Sequence, residues 1–184
     1  MMKMAENLEK EKLSKILIMG LDNSGKTSIL ISLSKDSNLL SYCSLKPTKG
    51  VKIQKYETQE DLLISVWDFG GQAQYREEYL ANFKKYIDKV EKIIFVFDVQ
   101  DVKRYKDALK YLEDIINLLK HEDKKIELSI FLHKYDPNIS ERIERIEETI
   151  KTELIDKLKS LIPKDFKYEI YRTTIYTVFE KILI

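Results

Sequence analysis

The stretch Gly20-Leu21-Asp22-Asn23-Ser24-Gly25-Lys26-Thr27 decides the fold of this chain. It fits the phosphate-binding pattern G-x-x-x-x-G-K-S/T at every fixed position. The short apolar run 16–19 precedes it and predicts a buried strand. Ile29, Leu30 and Leu33 follow at helical spacing, so the loop opens a predicted helix. The alternative is an ordinary glycine turn between a strand and a helix, which eight matching positions in these flanks argue against.

A loop of this kind suits phosphate for physical reasons. The first turn of a helix offers unpaired backbone N–H groups and a partial positive charge. Gly20 and Gly25 let the backbone curl where a Cβ would obstruct it. We expect Lys26 to reach the β- and γ-phosphates of a nucleotide and the hydroxyl of Thr27 to bind Mg²⁺.

Composition indicates one globular domain over residues 1–184, with 43% apolar and 34% charged residues. Residues 1–12 are polar and are predicted to be a flexible or short helical N-terminal segment. The net charge of +1 argues against nucleic acid as a partner. The single Cys43 excludes an internal disulfide and a cysteine metal cage, which is consistent with a cytoplasmic location.

The sequence also argues against membrane attachment. No apolar run approaches the length of a membrane span. Met2 stands where a myristoylation signal needs glycine, and the C-terminal residues 181–184 contain no cysteine for prenylation. We therefore expect no integral membrane segment and no lipid anchor.

Alternating strands and helices predict an α/β fold: a mostly parallel, six-stranded sheet with one antiparallel hairpin and helices on both faces. The predicted strands are 16–19, 51–56, 62–67, 93–97, 128–132 and 166–171. One predicted helix starts directly after the loop at 20–27, and four more cover 72–88, 102–120, 139–161 and 175–184. A polar loop is predicted at 34–49 and a turn at 58–61. Tyr75, Tyr79, Phe83 and Tyr86 recur at helical spacing and are either core or an exposed partner surface.

The five glycines of the chain fall in three short stretches, each of which we expect to contact phosphate: Gly20, Gly25, Gly50, Gly70 and Gly71. Four candidate motifs follow predicted strand ends, where ligands bind in sheets of this kind. Asp68 ends a strand and is either a helix cap or, after a phosphate loop, a Mg²⁺ ligand. Gly71 would let its N–H approach a γ-phosphate, and the neutral amide of Gln72 suits the positioning of an attacking water. The alternative for Gln72 is a polar helix-start residue.

Two further motifs complete a nucleotide site. Thr48, between Pro47 and Gly50, is predicted to complete the Mg²⁺ sphere and to sense the γ-phosphate. In the segment His133-Lys134-Tyr135-Asp136, an ionised Asp136 would accept two hydrogen bonds from guanine and reject adenine. The aliphatic stem of Lys134 would lie across the purine. The alternative is a polar strand-to-helix loop.

These motifs occur in the order of the guanine-nucleotide motifs of Ras-superfamily small GTPases, which the chain resembles over nearly its whole length. Residues 20–27, Pro47-Thr48-x-Gly50 and Trp67-Asp-x-Gly-Gly-Gln72 resemble the Arf/Arl group. The H-K-x-D at 133–136, Phe95-Val-Phe-Asp-Val99 and Arg172-Thr-Thr-Ile175 resemble the Rag/Gtr group.

The resemblance implies GTP or GDP with Mg²⁺ as the bound cofactors, and it implies roles for individual residues. Thr174 and the N–H of Ile175 would face guanine O6, and His133 would tie the base loop to the phosphate loop. Gln72 and Lys26 would be catalytic, and Thr27, Thr48 and Asp68 would hold the metal. The whole predicted nucleotide-binding set is Asp22, Asn23, Ser24, Gly25, Lys26, Thr27, Ser28, Thr48, Gly71, His133, Lys134, Asp136, Thr174 and Ile175.

The predicted function is a GTP-dependent molecular switch. The sequence assigns no arginine as an internal finger, and Arg76, just past Gln72, is more simply a surface or switch residue. We therefore expect slow hydrolysis, on the order of 10⁻⁴ to 10⁻² per second, stimulated by a partner. The predicted partners are an effector, an exchange factor and a GTPase-activating protein; a roadblock- or longin-type protein and another small GTPase are further candidates. The alternatives are a P-loop phosphotransferase and a non-hydrolysing nucleotide-binding scaffold.

Overall fold

A computed structural model describes residues 14–34, 41–42, 44–57, 63–122 and 126–176 of the chain. Six strands form one sheet in the order β2-β3-β1-β4-β5-β6. Only β2 and β3 are antiparallel to each other, which confirms the predicted sheet. The strands are β1 (Ser14–Met19), β2 (Val51–Glu57), β3 (Leu63–Phe69), β4 (Val90–Asp98), β5 (Glu127–His133) and β6 (Tyr168–Arg172).

Helices cover both faces of this sheet. The larger core lies on one face, under the helices Ala73–Ala81, Phe83–Ile87, Tyr105–Leu119 and the helical segment 146–161. The smaller core on the other face joins the helix Lys26–Ser32 to alternate residues of the central strands, among them Ile18, Val66 and Val96. Because side chains alternate along a strand, the apolar runs of β1 and β4 supply both cores. Among the described residues, no helix has the length and apolar character needed to cross a bilayer.

The predicted helix 72–88 is wrong in one respect, because it is divided into two. The helix Ala73–Ala81 ends at Asn82, whose φ and ψ of −111° and 22° lie outside the helical region. The backbone N–H of Asn82 and its side-chain amide both donate to the carbonyl of Glu78. A side chain that competes for a helical carbonyl favours a helix end. A second helix, Phe83–Ile87, follows.

The aromatic residues of this region form core rather than an exposed surface. Tyr79 and Phe83 are buried, and Tyr75 and Tyr86 pack against them while half-buried. Tyr79 contacts Phe69 edge-on at 4.7 Å between ring centroids and Tyr86 at 5.7 Å.

The predicted helix 139–161 is also interrupted. Helical turns Ile139–Arg142 and Ile146–Thr149 flank a break at which Ile143 is extended and Arg145 has a φ of 55°. A π-helical segment, Ile150–Ile155, then leads into the helix Asp156–Leu161. The buried side chains of this region recur every fourth residue, more than the 3.6 residues of an α-helical turn. A π turn contains more residues than an α-helical turn, so it keeps these buried side chains on the same side of the helix. They are Ile146, Ile150, Leu154 and Leu158.

Several predictions fall at the limits of the described residues. The N-terminal segment 1–12 and the turn 58–61 lie outside them. Of the predicted loop 34–49, residues 44–49 have neither helix nor strand, residues 41–42 are helical, and residues 35–40 and 43 are not described. Of the predicted final helix, residues 175–176 have no regular structure and residues 177–184 lie outside the described part.

Candidate functional site

The phosphate loop follows β1 at the point where the sheet order changes direction, between β3 and β4. In such sheets the connections from the neighbouring strands leave in opposite directions there, which creates a crevice for a ligand. Gly20 and Gly25 have φ angles of 140° and 91°, which favour glycine. A Cβ added to Gly20 would lie 2.4 Å from the carbonyl oxygen of Val96, and one added to Gly25 would lie 2.4 Å from Cδ2 of His133. The loop therefore excludes other residues at both positions.

Lys26 is the buried cation of this loop, with 5% of its surface exposed. Its Nζ donates to the carbonyls of Gly20, at 3.0 Å, and Leu21, at 2.6 Å. Burial lowers the pKa of Lys26 to about 8, although the carboxylates of Asp68 and Asp22 raise it. The ammonium group is thus mostly charged at neutral pH and is held beside the loop backbone.

The three predicted metal ligands meet at one point. The hydroxyls of Thr27 and Thr48 donate to Oδ2 of Asp68 at 2.7 and 3.0 Å, and they lie 3.0 Å from each other. Asp68 is fully buried, and within the described residues its Oδ1 has no hydrogen-bond partner. The three residues come from three separate segments of the chain.

This oxygen cluster fits a small hard cation such as Mg²⁺. Mg²⁺ takes oxygen ligands, usually one or two carboxylates together with water and substrate phosphates, rather than an all-protein cage. Among the described residues no group of three or more His, Cys, Asp or Glu side chains could hold a metal ion. The unpartnered Oδ1 of the buried Asp68 beside two hydroxyls fits part of the oxygen set that such a cation takes.

The segment after β3 packs directly on the phosphate loop. A Cβ added to Gly71 would lie 2.1 Å from the backbone nitrogen of Asp22, and one added to Gly70 would lie 2.4 Å from the carbonyl oxygen of Thr48. The N–H of Gly70 donates to the carbonyl of Gly50 at 2.9 Å. Both glycines therefore allow a close backbone approach, and they join the Thr48 segment to the loop.

A cavity of about 340 Å³ opens at this point. Gln72 is half-buried at its wall and begins the helix Ala73–Ala81. Leu45, Lys46 and Pro47, which were not predicted as site residues, also line it. The predicted residues that line the cavity are Asp22, Asn23, Gly25, Lys26, Thr27, Ser28, Thr48, Gly71 and Gln72. Ser24 is buried and does not line it.

The predicted base-recognition residues meet at the ends of β5 and β6. Thr174 donates to Oδ1 of Asp136 at 2.6 Å, and Gln100 and Arg142 donate to Oδ2 at 2.8 and 3.0 Å. Burial would raise the pKa of Asp136, but these hydrogen bonds lower it. Asp136 is therefore ionised at neutral pH, in the state that guanine recognition needs. Ile175 packs on the smaller core beside this group.

His133 connects the base segment to the phosphate loop. Its ring lies against Gly25, and Nδ1 is 3.0 Å from the hydroxyl of Thr173. Burial lowers the pKa of His133, so the imidazole is neutral at pH 7. Lys134 has a φ of 60° and donates to Asp98 at 2.6 Å.

The sequence did not predict the contribution of the segment that follows β4. Asp98 accepts a hydrogen bond from Lys134, Gln100 donates one to Asp136, and Arg104 donates one to Asp22 at 3.0 Å. Two signals pointed to this segment: the run Asp98-Val-Gln-Asp101 stands at a strand end, and Asp98 belongs to the run 95–99 that resembles the Rag/Gtr group. Arg104, which lies 82 residues from Asp22 in sequence, was not predicted as a site residue.

The chain is similar to known proteins over most of its length. Residues 15–183 match the family model described as the Gtr1/RagA G protein conserved region. ADP-ribosylation factor-like protein 3 of Caenorhabditis elegans is 31% identical over 141 residues, which cover 77% of this chain and 71% of that protein. Ras-related GTP-binding protein A of Dictyostelium discoideum is 26% identical over 170 residues, covering 92% of this chain but only 56% of the relative.

A solved structure supports the fold. The Arl6 small GTPase of Trypanosoma brucei, solved with the nucleotide analogue GppNp bound, superposes with a TM-score of 0.66 and 23% identity. The match covers 88% of this chain and 86% of that one.

Proposed function

Since the chain belongs to the Gtr1/RagA family of G proteins, within the small GTPases of the Ras superfamily, we propose that it is a GTP-dependent molecular switch. It binds GTP with Mg²⁺, hydrolyses it slowly, and acts on a partner protein in one nucleotide state. Family membership implies guanine-nucleotide binding. The switch cycle, the slow rate and the partners are the proposal.

The meeting of Thr27, Thr48 and Asp68 is the observation that carries this proposal. It joins the phosphate loop to the two segments that would respond to the γ-phosphate. In the GTP state Thr27 and Thr48 would bind Mg²⁺ through their hydroxyls, with Asp68 holding the metal. Lys26 would bind the β- and γ-phosphates, and the N–H of Gly71 would face the γ-phosphate. Loss of that phosphate releases the segments at Thr48 and Gly71.

The residues around Asp136 select the base of the nucleotide. Its ionised carboxylate accepts hydrogen bonds from the N1–H and 2-amino groups of guanine, which adenine does not offer. Lys134 covers the purine face with its stem, and Thr174 with the N–H of Ile175 faces O6. His133 holds the base segment against the phosphate loop through its contact with Gly25.

Hydrolysis depends on water positioning. The amide of Gln72 donates and accepts at once, so it orients a water for in-line attack without acting as a strong base. Lys26 would stabilise the negative charge that develops on the phosphate, and a bound Mg²⁺ would supply further positive charge. A GTPase-activating protein would supply further positive charge, while an exchange factor and an effector would bind at the segments around Thr48 and Gly71. Roadblock-type, longin-type or small-GTPase partners and a cytoplasmic location stay predictions.

Single-turnover hydrolysis of GTP tests the proposal. We expect Gln72→Leu to slow the reaction on the order of tenfold, while Gln74→Leu leaves it unchanged. Gln74 is exposed on the same helix, so it is a matched control. Equal rates for Gln72→Leu and the unmodified chain would remove Gln72 from the mechanism.

The nucleotide that copurifies with the chain separates the alternative functions. Guanine nucleotide, displaced by excess GDP and not by ATP, supports the switch. Tight ATP binding that GDP does not disturb would reject it in favour of a phosphotransferase. Bound GTP that no variant or condition hydrolyses would favour a scaffold.

A further inference from the structure

A carboxylate in a phosphate site needs an explanation, because like charges repel a polyphosphate. Asp22 lines the cavity of the phosphate loop, and 46% of its side chain is exposed. It lies where Gly71 meets the loop, since a Cβ on Gly71 would be 2.1 Å from the nitrogen of Asp22. In the proposed switch this is the γ-phosphate end of the site. An unbalanced charge there would disfavour GTP more than GDP.

Arg104 makes two contacts with Asp22. Its Nη1 donates to Oδ1 of Asp22 at 3.0 Å, and its Nη2 donates to the backbone carbonyl of the same residue at 3.2 Å. Paired contacts of this kind use the planar guanidinium, which lysine cannot reproduce. The contacts join the turn after β4 to the phosphate loop.

The other side of the guanidinium is anchored. Its Nε donates to Oδ2 of Asp101 at 2.5 Å, and the backbone N–H of Arg104 donates to the carbonyl of Asp101 at 3.0 Å. The side chain of Arg104 is 32% exposed. Because Asp101 fixes the arginine from behind, little conformational entropy is lost when it pairs with Asp22, unlike in an ordinary surface ion pair.

We propose that Arg104 is a positioning residue that neutralises and holds Asp22, and that this pair sets the preference of the site for GTP over GDP. The proposal rests on the proposed function and deepens it. Arg104 acts through Asp22, so its removal matters only while the carboxylate is present. GDP, which lacks the γ-phosphate, is affected less.

Affinities of fluorescent GDP and of a non-hydrolysable fluorescent GTP analogue test the pair in the full chain. We expect Arg104→Gln to weaken binding of the GTP analogue about tenfold and of GDP less than about threefold. Lys103→Gln is the matched control: it removes the same charge from an exposed neighbour and should change neither affinity. The effect of Arg104→Lys on binding of the GTP analogue should lie between those of Arg104→Gln and Lys103→Gln, because lysine keeps the charge but lacks the planar, forked donor group of arginine.

A second substitution separates positioning from structural support. Asp22→Asn in the Arg104→Gln background should restore the ratio of the two affinities to within about threefold of the original, since it removes the carboxylate that lines the phosphate cavity. Asp22→Asn alone should raise the preference for the GTP analogue, and this variant carries the test if Arg104→Gln does not fold. Equal weakening of both nucleotides, or no rescue by the second substitution, would overturn the proposal. A chain that prefers ATP would instead overturn the proposed function.

Discussion

The phosphate end and the base end of the site are held by different forces. At the phosphate end, Gly20, Gly70 and Gly71 pack against backbone and Gly25 packs against the ring of His133, so that an added Cβ would lie only 2.1 to 2.4 Å from its neighbour. Asp68 and Lys26 are buried there. At the base end, Asp136 is held by side-chain hydrogen bonds from partners that are more exposed. Substitution at the first end should therefore break the site, whereas substitution at the second should retune it.

Gly25→Ala should have the largest effect. The new Cβ would lie 2.4 Å from the His133 ring, and the φ of 91° strains any residue other than glycine. We expect nucleotide binding to be lost and the free energy of unfolding to fall by about 3 kcal/mol. Thermal unfolding and nucleotide titration measure the two effects.

Gly50→Ala is the matched control for this substitution. Gly50 has a φ of 64°, but a Cβ there would meet nothing within 4 Å. It should cost only about 1 kcal/mol. Equal effects at both positions would mean that backbone conformation, rather than the His133 contact, makes the phosphate end intolerant.

Asp136→Asn should have the next largest effect, and it should not unfold the protein. The new amide donates a hydrogen bond where the carboxylate accepted one, so GTP should bind about 100-fold more weakly and xanthosine triphosphate more tightly. The exposed Asp107→Asn is the control and should change neither affinity. Retained guanine selectivity, or a loss of stability as large as that of Gly25→Ala, would contradict the division between the two ends.

The sequence predicts this division only in part. Short motifs specify the phosphate loop, Asp68 and Gly71, because each lies at the end of a strand whose apolar run can be recognised in the sequence, and Thr48 lies just before such a strand. The sheet follows from the same runs. Helix interruptions at Asn82 and at 143–145 escape prediction, because they depend on which carbonyls and core positions are available in the folded chain.

Contacts distant in sequence are the other part that escapes prediction. Arg104 reaches Asp22 across 82 residues and Gln100 reaches Asp136 across 36. Neither partner belongs to a recognisable motif with the other. The topology brings them together because β4 lies between β1 and β5 in the sheet.

The smallest expected effect is a pH dependence confined to the phosphate end. Lys26 in the free protein has a pKa of about 8, mainly because burial disfavours its charge, and phosphate binds the charged form. Above pH 8 binding must therefore take up a proton, and affinity should fall by up to about tenfold per pH unit. The two protein groups of the base end, Asp136 and His133, do not titrate near this pH, since hydrogen bonds lower the pKa of Asp136 and burial lowers that of His133.

GDP affinity measured from pH 7 to pH 9.5 in the unmodified chain and in Lys26→Gln isolates this effect. The variant retains every other titrating group, including those of the nucleotide, so the difference between the two curves reports Lys26.

The stability of the nucleotide-free chain should change in the opposite direction. Because the folded-state pKa of Lys26 lies below its usual 10.5, the unfolded chain binds more protons between pH 8 and 10.5, so stability should rise with pH there. Parallel curves of GDP affinity against pH for the two proteins would show that the pKa of Lys26 is not lowered. The phosphate end would then not be the more buried and rigid half of the site.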